Sequence, residues 1–216
     1  MPVVLFLSFF LKCKKASSNF IKTFIYRTYY RLKKKNIIPH SGTFIKGIDN
    51  INLNGRLEIG FLENGFGLSS DKSFFNIRGK LIIAGNYSVG KGCRLDIGPN
   101  AVVTIGKGGY INNNCLFVIM NKLIIGENTI ISWNCQFLDE DFHHITYEGQ
   151  SQKESGIHIG NNVWIGCNVK IYRGVTIPDG CVIAADSVVK SSFTETSLLI
   201  SGFPAKAVKR NVTWHV

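Results

Sequence analysis

The chain has 216 residues, 45% of them hydrophobic, enough for one domain with a substantial core and too few for several. Its formal net charge is +11, but the excess is local: residues 1–40 carry nine Lys/Arg and no acid, and the remainder carries sixteen basic and fourteen acidic side chains. No recognition motif accompanies the charge, which sets nucleic-acid binding aside, and the N-terminal apolar run Val3–Leu11 is too short to span a bilayer.

That run is followed by Lys12-Cys-Lys-Lys. Charge after the apolar stretch, with no small-residue cleavage site, argues against a secretory signal. The next segment, residues 20–35, mixes aromatic and basic residues, and Phe20, Phe24, Tyr30 and Leu32 are read onto one helical face. Two readings stay open for residues 1–40. An interfacial helix on anionic lipid would gain roughly 1 kcal/mol per cation near the surface. A helix packed on the first coil or on a neighbouring subunit would leave its lysines solvated. The predicted organisation is this segment, 1–40, followed by a single domain, 41–216.

Residues 51–60 read as irregular coils, and from Leu81 onward a six-residue beat sets in. Ile83, Val89 and Leu95 form one run, Ile105, Ile111 and Phe117 a second, and Ile125, Ile131 and Phe137 a third. Steps of eight separate these runs (Ile97 to Ile105, Phe117 to Ile125). The beat fails between Phe137 and Ile159, then becomes strict: Ile159, Ile165, Ile171, Ile177, Ile183, Val189. Four residues after each of the first five comes a smaller column, Val163, Val169, Val175, Cys181, Ser187. A period of six fits neither a helix nor a continuous strand. It fits short strands joined by tight corners and stacked in register, a parallel β-helix. Asn, Gly, Asp and Pro between the columns supply the corners. Cys93, Cys135 and Cys181 occupy the small column and no C-x-x-C occurs, so the six cysteines are expected to be reduced and structural.

The strict repeat resembles the left-handed β-helix (hexapeptide-repeat) acyltransferases, in the branch that O-acetylates sugars and polysaccharides. The resemblance rests on Ile157-His-Ile-Gly-Asn-Asn-Val-Trp-Ile-Gly-Cys-Asn-Val, Gly174-Val-Thr-Ile-Pro-Asp-Gly, Ala184-Ala-Asp-Ser-Val-Val and Gly202-Phe-Pro-Ala-Lys. It implies a mainly β, single-stranded left-handed parallel β-helix with three six-residue faces per turn, an N-terminal helical segment and an excursion loop. It also implies acetyl-CoA as acyl donor and a homotrimer.

The loop of residues 138–156 is the expected seat of chemistry, because loops carried by a rigid scaffold hold most catalytic groups. It contains Leu138-Asp-Glu-Asp-Phe-His-His-Ile-Thr. The resemblance points to His143 as catalytic base, with His144 the alternative for that role, and with Asp141 (or Asp139) steadying the imidazolium; His144 stands where many relatives have Pro or a small polar residue and is otherwise read on the acceptor side. A neutral imidazole can take the proton of a sugar hydroxyl as it attacks a thioester. For the donor, the resemblance implies Cys167 near the thioester, Ala185 on the pantetheine arm, Lys190, Lys206 and Lys209 toward the phosphates, and Trp164 at the groove or simply packed. Ala184 and Asp186 stand where relatives carry glycine. Asn112 and Asn114 align with an acceptor-binding Asn, or form an asparagine ladder at the corners. His143, His144 and His158 invite a zinc reading, but adjacent histidines rarely reach one ion, so no metal is expected.

The expected protein is a cytoplasmic acetyl-CoA-dependent O-acetyltransferase acting on a glycan, a nucleotide sugar or a lipid-linked sugar, peripheral on the inner membrane face if the N-terminal segment binds lipid. N-acylation of an amino sugar and a non-catalytic scaffold are the alternatives.

Overall fold

The computed structural model describes residues 3–62, 65–143, 146, 148 and 155–215. Among them, strands of two to five residues fall on three faces in rotation. The first face has nine strands, from Ile37–Pro39 to Ala205–Lys209. The second has seven, from Thr43–Lys46 to Val188–Val189, and the third six, from Ile51–Leu53 to Thr176–Ile177. The six-residue columns become registers: Ile111, Ile131, Ile165 and Ile183 align on the first face, and Leu95, Phe117, Phe137, Ile171 and Val189 on the second. Pairing is parallel throughout except for the closing hairpin, Leu199–Gly202 against Ala205–Lys209. This is a left-handed parallel β-helix. It begins at Ile37, before the boundary read at residue 41.

The core is the stacked columns themselves. Phe117 and Phe137 stack with ring centroids 4.6 Å apart and planes inclined by 7°. Cys115 joins Cys93 and Cys135 in one small column, and each thiol donates to a carbonyl of the coil below, at 3.0 Å to Asn112, 3.1 Å to Ser132 and 3.1 Å to Gly166. The cysteines are free, and burial pushes the Cys115 thiol well above its ordinary range.

Corner geometry explains the residues between columns. Asn114, Asn134, Asn168 and Asp186 succeed one another at the corner between first and second faces, all with positive φ, a conformation that short polar side chains and glycine tolerate best. Asn128 and Asn162 do the same at the corner between third and first faces.

Two helices, α1 (Val3–Lys15) and α2 (Phe20–Leu32), sit on the first coils. Phe9 and Cys13 pack on Ile38, Tyr30 enters the main core, and Lys12 pairs with Glu58 at 2.6 Å. The single aromatic face read from the sequence does not form: Tyr30 is 5% exposed and Leu32 79%. At about 100° per residue, positions two apart lie on nearly opposite sides of a helix. Phe6, Leu7, Phe10, Ile21, Phe24 and Ile25 remain exposed, and among the described residues no helix is long and apolar enough to cross a membrane.

Candidate functional site

The long loop leaves the second face after Gln136–Leu138 and rejoins the third at Ile157–Ile159. The eight-residue steps cross this same corner in the coils above, so the excursion enlarges a corner that already accepts extra residues. Its stem is tightly held. Asp139 is fully buried, and its carboxylate accepts three backbone N–H bonds, from Met120 at 2.6 Å, Asn121 at 2.8 Å and Lys122 at 2.7 Å. That carboxylate is therefore committed to the coil above. Asn121 also donates to Glu140 at 3.2 Å, and this bond first of all holds the Glu140 carboxyl below its ordinary range. Asp141 pairs with Arg173 of the coil below at 3.2 Å. His143 follows, exposed to solvent. His144 lies outside the described residues. His158 is exposed on the strand where the loop returns, and among the described residues no three His, Cys, Asp or Glu side chains are grouped to hold a metal.

The residues read as donor contacts lie elsewhere. Cys167 and Ala185 occupy successive coils at the corner between first and second faces, one below the other in a column that runs Lys91, Asn113, Trp133, Cys167, Ala185. The corner is tight: a Cβ on Gly166 would lie 2.7 Å from the Ala185 nitrogen. Lys190 follows the last strand of the second face, with its ammonium 5.2 Å over the Phe203 ring. Lys206 and Lys209, three apart in one strand, would ordinarily face opposite sides of a sheet. A register shift beside Leu199 and Ile200 pairs Lys206 with Ser201 and Lys209 with Leu199, which returns both lysines to one outward side. The tail carrying them is exposed. Trp164 stands on the outer side of the first face, donates to Ser132 at 3.3 Å and lies 6.2 Å from Trp214.

Within one chain, then, His143 belongs to the second–third corner and Cys167 to the first–second corner, a full face away. Asn112 and Asn114 sit at the first–second corner one coil above Trp133, the Asn112 side chain accepting from the Asn113 backbone at 2.8 Å.

A second excursion was not anticipated from the sequence. Residues 60–62 and 65–72 belong to a segment that leaves the first–second corner and reaches Trp133, where Phe66 meets the indole edge-on at 5.3 Å. The available signal was the sixteen-residue step from Ile59 to Phe75, rich in glycine. Between this loop and the end of α1 lies a cavity of about 630 Å³.

A profile for bacterial transferase hexapeptide repeats (six repeats) matches residues 156–191. Over 206 residues the chain is 35% identical to an uncharacterised 24.8 kDa protein in the cps region of Klebsiella pneumoniae, covering 94% of this chain and 92% of that one. This chain belongs to the bacterial hexapeptide-repeat transferases. It is an acyltransferase of that family. It is also 29% identical over 143 residues, 61% of this chain and 72% of the other, to the protein named "Putative lipopolysaccharide biosynthesis O-acetyl transferase WbbJ" of Escherichia coli (strain K12). The fold is shared with the polysialic acid O-acetyltransferase OatWY, at a TM-score of 0.56 and 22% identity over 81% of this chain and 76% of that one.

Proposed function

We propose that the protein transfers an acetyl group from acetyl-CoA to a sugar hydroxyl of a surface glycan or its precursor, as a homotrimer, with His143 as general base. The observation that carries this reading is an exposed histidine on a loop stem pinned to the coil above by Asp139 and to the coil below by the Asp141–Arg173 pair. The WbbJ name, and the cps-region setting of the Klebsiella relative, favour a surface glycan over a free metabolite.

The residues fit a long, thin acyl donor. Small side chains at Cys167 and Ala185, over a corner with no room for a Cβ at Gly166, leave backbone groups open to close approach. Lys190, Lys206 and Lys209 form a basic margin suited to nucleotide phosphates. The donor supplies an activated thioester carbonyl. Neutral His143 takes the proton from the acceptor hydroxyl as its oxygen bonds to that carbonyl. When the carbon–sulfur bond breaks, the imidazolium returns the proton to the departing sulfur, so the base is regenerated. Asp141 steadies the transient imidazolium from two residues away while it holds Arg173. Because the base and the Cys167 corner lie a face apart, a neighbouring subunit supplies one half of each site, which is the reason for the trimer.

For location we propose the inner surface of the membrane. The exposed apolar residues of α1 and α2 stand beside Lys14, Lys22, Arg31, Lys33 and Lys34, the combination an anionic bilayer retains.

The test is thiol release from acetyl-CoA across a panel of sugars, nucleotide sugars and amino sugars, with His143→Ala and His144→Ala beside the wild type. Loss of the base costs about 10²–10⁴ in rate, with acetyl-CoA affinity and oligomeric state retained. Near-normal turnover of His143→Ala removes the assignment, and a silent His144→Ala with active His143→Ala moves it one residue along. Turnover confined to amino sugars replaces the hydroxyl acceptor by an amine.

A further inference from the structure

One side of α2 forms an apolar ridge that the fold leaves uncovered. Ile21, Ile25 and Leu32 are 69%, 57% and 79% exposed. At about 100° per residue the three point within about 40° of one another, away from the buried Thr23 and Tyr30. Large apolar side chains exposed in one line mark a contact surface. Beside the ridge runs a groove of about 550 Å³, between α2, the first strand of the second face and residues 69–72. Its walls are fixed to one another. The Asn19 N–H donates to Ser41 Oγ at 3.0 Å, the Ser41 N–H to Ser18 Oγ at 2.8 Å, and the Ser73 N–H to the Gly42 carbonyl at 3.1 Å.

Ile21, Ile25 and Phe44 give the groove an apolar lining and Lys22 and Lys72 its charge; among the described residues no carboxylate lines it. Neither lysine forms an ion pair among those residues. The Lys22 ammonium lies 5.7 Å from the Tyr26 and Phe44 ring centroids, and Lys46, further along the same face, lies 5.7 Å over Phe74. A ring face steadies an ammonium without neutralising it, so the charge stays available to an anion. Asp71, beside Lys72 in sequence, accepts the Leu68 N–H at 2.8 Å, and its charge bears on His40 and Lys91.

We propose that this groove binds one anionic phospholipid of the bilayer. The headgroup phosphate lies between Lys22 and Lys72, while Ile21, Ile25 and Leu32 enter the acyl region beside it. The inference deepens the membrane-location reading and rests on it. The complementarity is to both halves of a lipid: ammonium groups meet the phosphate, and rings and aliphatic side chains meet the glycerol and upper acyl chains, as basic and aromatic residues do at bilayer interfaces generally. A free anion would leave the ridge in water, and an apolar peptide would leave both lysines without an anion. Diffuse attraction of the basic segment holds a protein near a surface without fixing its rotation. A seated headgroup fixes which side of α2 meets the bilayer.

The test titrates the full chain with dihexanoyl-phosphatidylglycerol below its micelle concentration, with dihexanoyl-phosphatidylcholine and inorganic phosphate as comparison probes. The methyl resonances of Ile21 and Ile25 should shift saturably with the phosphatidylglycerol and little with the other two. Lys22→Glu and Lys72→Glu, both at exposed positions, should each weaken that binding about tenfold or more, a charge-assisted contact being replaced by repulsion. Lys14→Glu, at an exposed position outside the groove, should bind as the wild type does. Sedimentation of the same four proteins is then measured with phosphatidylcholine vesicles, with and without phosphatidylglycerol. The proposal is overturned if the short-chain phosphatidylglycerol leaves both methyls unmoved, if the phosphatidylcholine binds equally, if inorganic phosphate binds as tightly, or if Lys14→Glu weakens binding equally. In any of those cases, wild-type sedimentation with phosphatidylglycerol vesicles leaves the location reading standing and removes only the site. Absence of sedimentation with every vesicle removes both.

Discussion

Replacing Asp139 by alanine should detach the long excursion loop from the solenoid. The carboxylate is fully buried and accepts three backbone N–H groups at 2.6, 2.8 and 2.7 Å, so its removal orphans three donors of the coil above at once. At roughly 1–2 kcal/mol for each bond to an ionised acceptor, after partial rescue by water, the loss is about 3–6 kcal/mol. Asp139→Asn keeps one oxygen and sets an NH₂ where the other accepted, which should cost about half as much. The assay is urea denaturation with hydrogen exchange, read beside turnover. Exchange should accelerate first at the Met120, Asn121 and Lys122 amides, with turnover falling in the same order as stability, alanine below asparagine. An unchanged denaturation midpoint, together with full protection of those three amides in the alanine variant, would refute the reasoning, because it would mean the donors find equal partners without the carboxylate.

Replacing Lys206 and Lys209 together by alanine should raise the acetyl-CoA Michaelis constant several-fold with little change in turnover, and the effect should shrink at high salt; an unchanged constant returns both to ordinary surface lysines. Leu7→Ser with Ile25→Ser should abolish sedimentation with anionic liposomes at low salt while the oligomer persists, and a wild type that ignores such liposomes ends the membrane proposal. His40 is 2% exposed, its Nδ1 accepts the Gly42 N–H at 3.0 Å, and burial, helped by the Lys91 charge, holds its pKa below the ordinary histidine range. The unfolded chain therefore binds more protons just below the usual pKa of about 6.5. Stability is fully present above that pH and is lost as pH falls toward the depressed folded value. The urea midpoint should drop between neutral and mildly acidic pH, less so in His40→Asn; equal slopes would rule this out.

The sequence was most legible where one residue type recurs because one backbone position recurs. Ile159 to Val189 could be read directly as columns, and the Asn and Asp residues between them as corners, since a stacked coil repeats both its packing and its φ. What escaped was set by geometry between distant segments. Nothing near Asp139 says that its carboxylate will cap the coil at Met120–Lys122. The face proposed for Tyr30 and Leu32 failed because hydrophobicity alone does not choose which side of a short helix meets the core. The hairpin's packing on Ile38 also explains why substitution tests its membrane role better than deletion, which would uncover the first coil. Phe66 meeting Trp133 depends on a loop crossing intervening coils, a contact no periodicity encodes.

The two ends of the solenoid are closed differently, by helices above and by a strand that turns back on itself below. An open stack of parallel strands would present a free edge at each end, a template for adding another chain. With helices packed at one end and the chain reversed at the other, the middle can change while both ends keep their closures. A coil inserted or lost between Lys91 and Cys167 would leave the caps and the strict lower coils intact, yet shift the first coils relative to Cys167 by one step of about 4.8 Å. The fold is in that sense a graduated scale, on which the distance between the N-terminal helices and the strict lower coils changes by counting coils instead of redesigning a pocket.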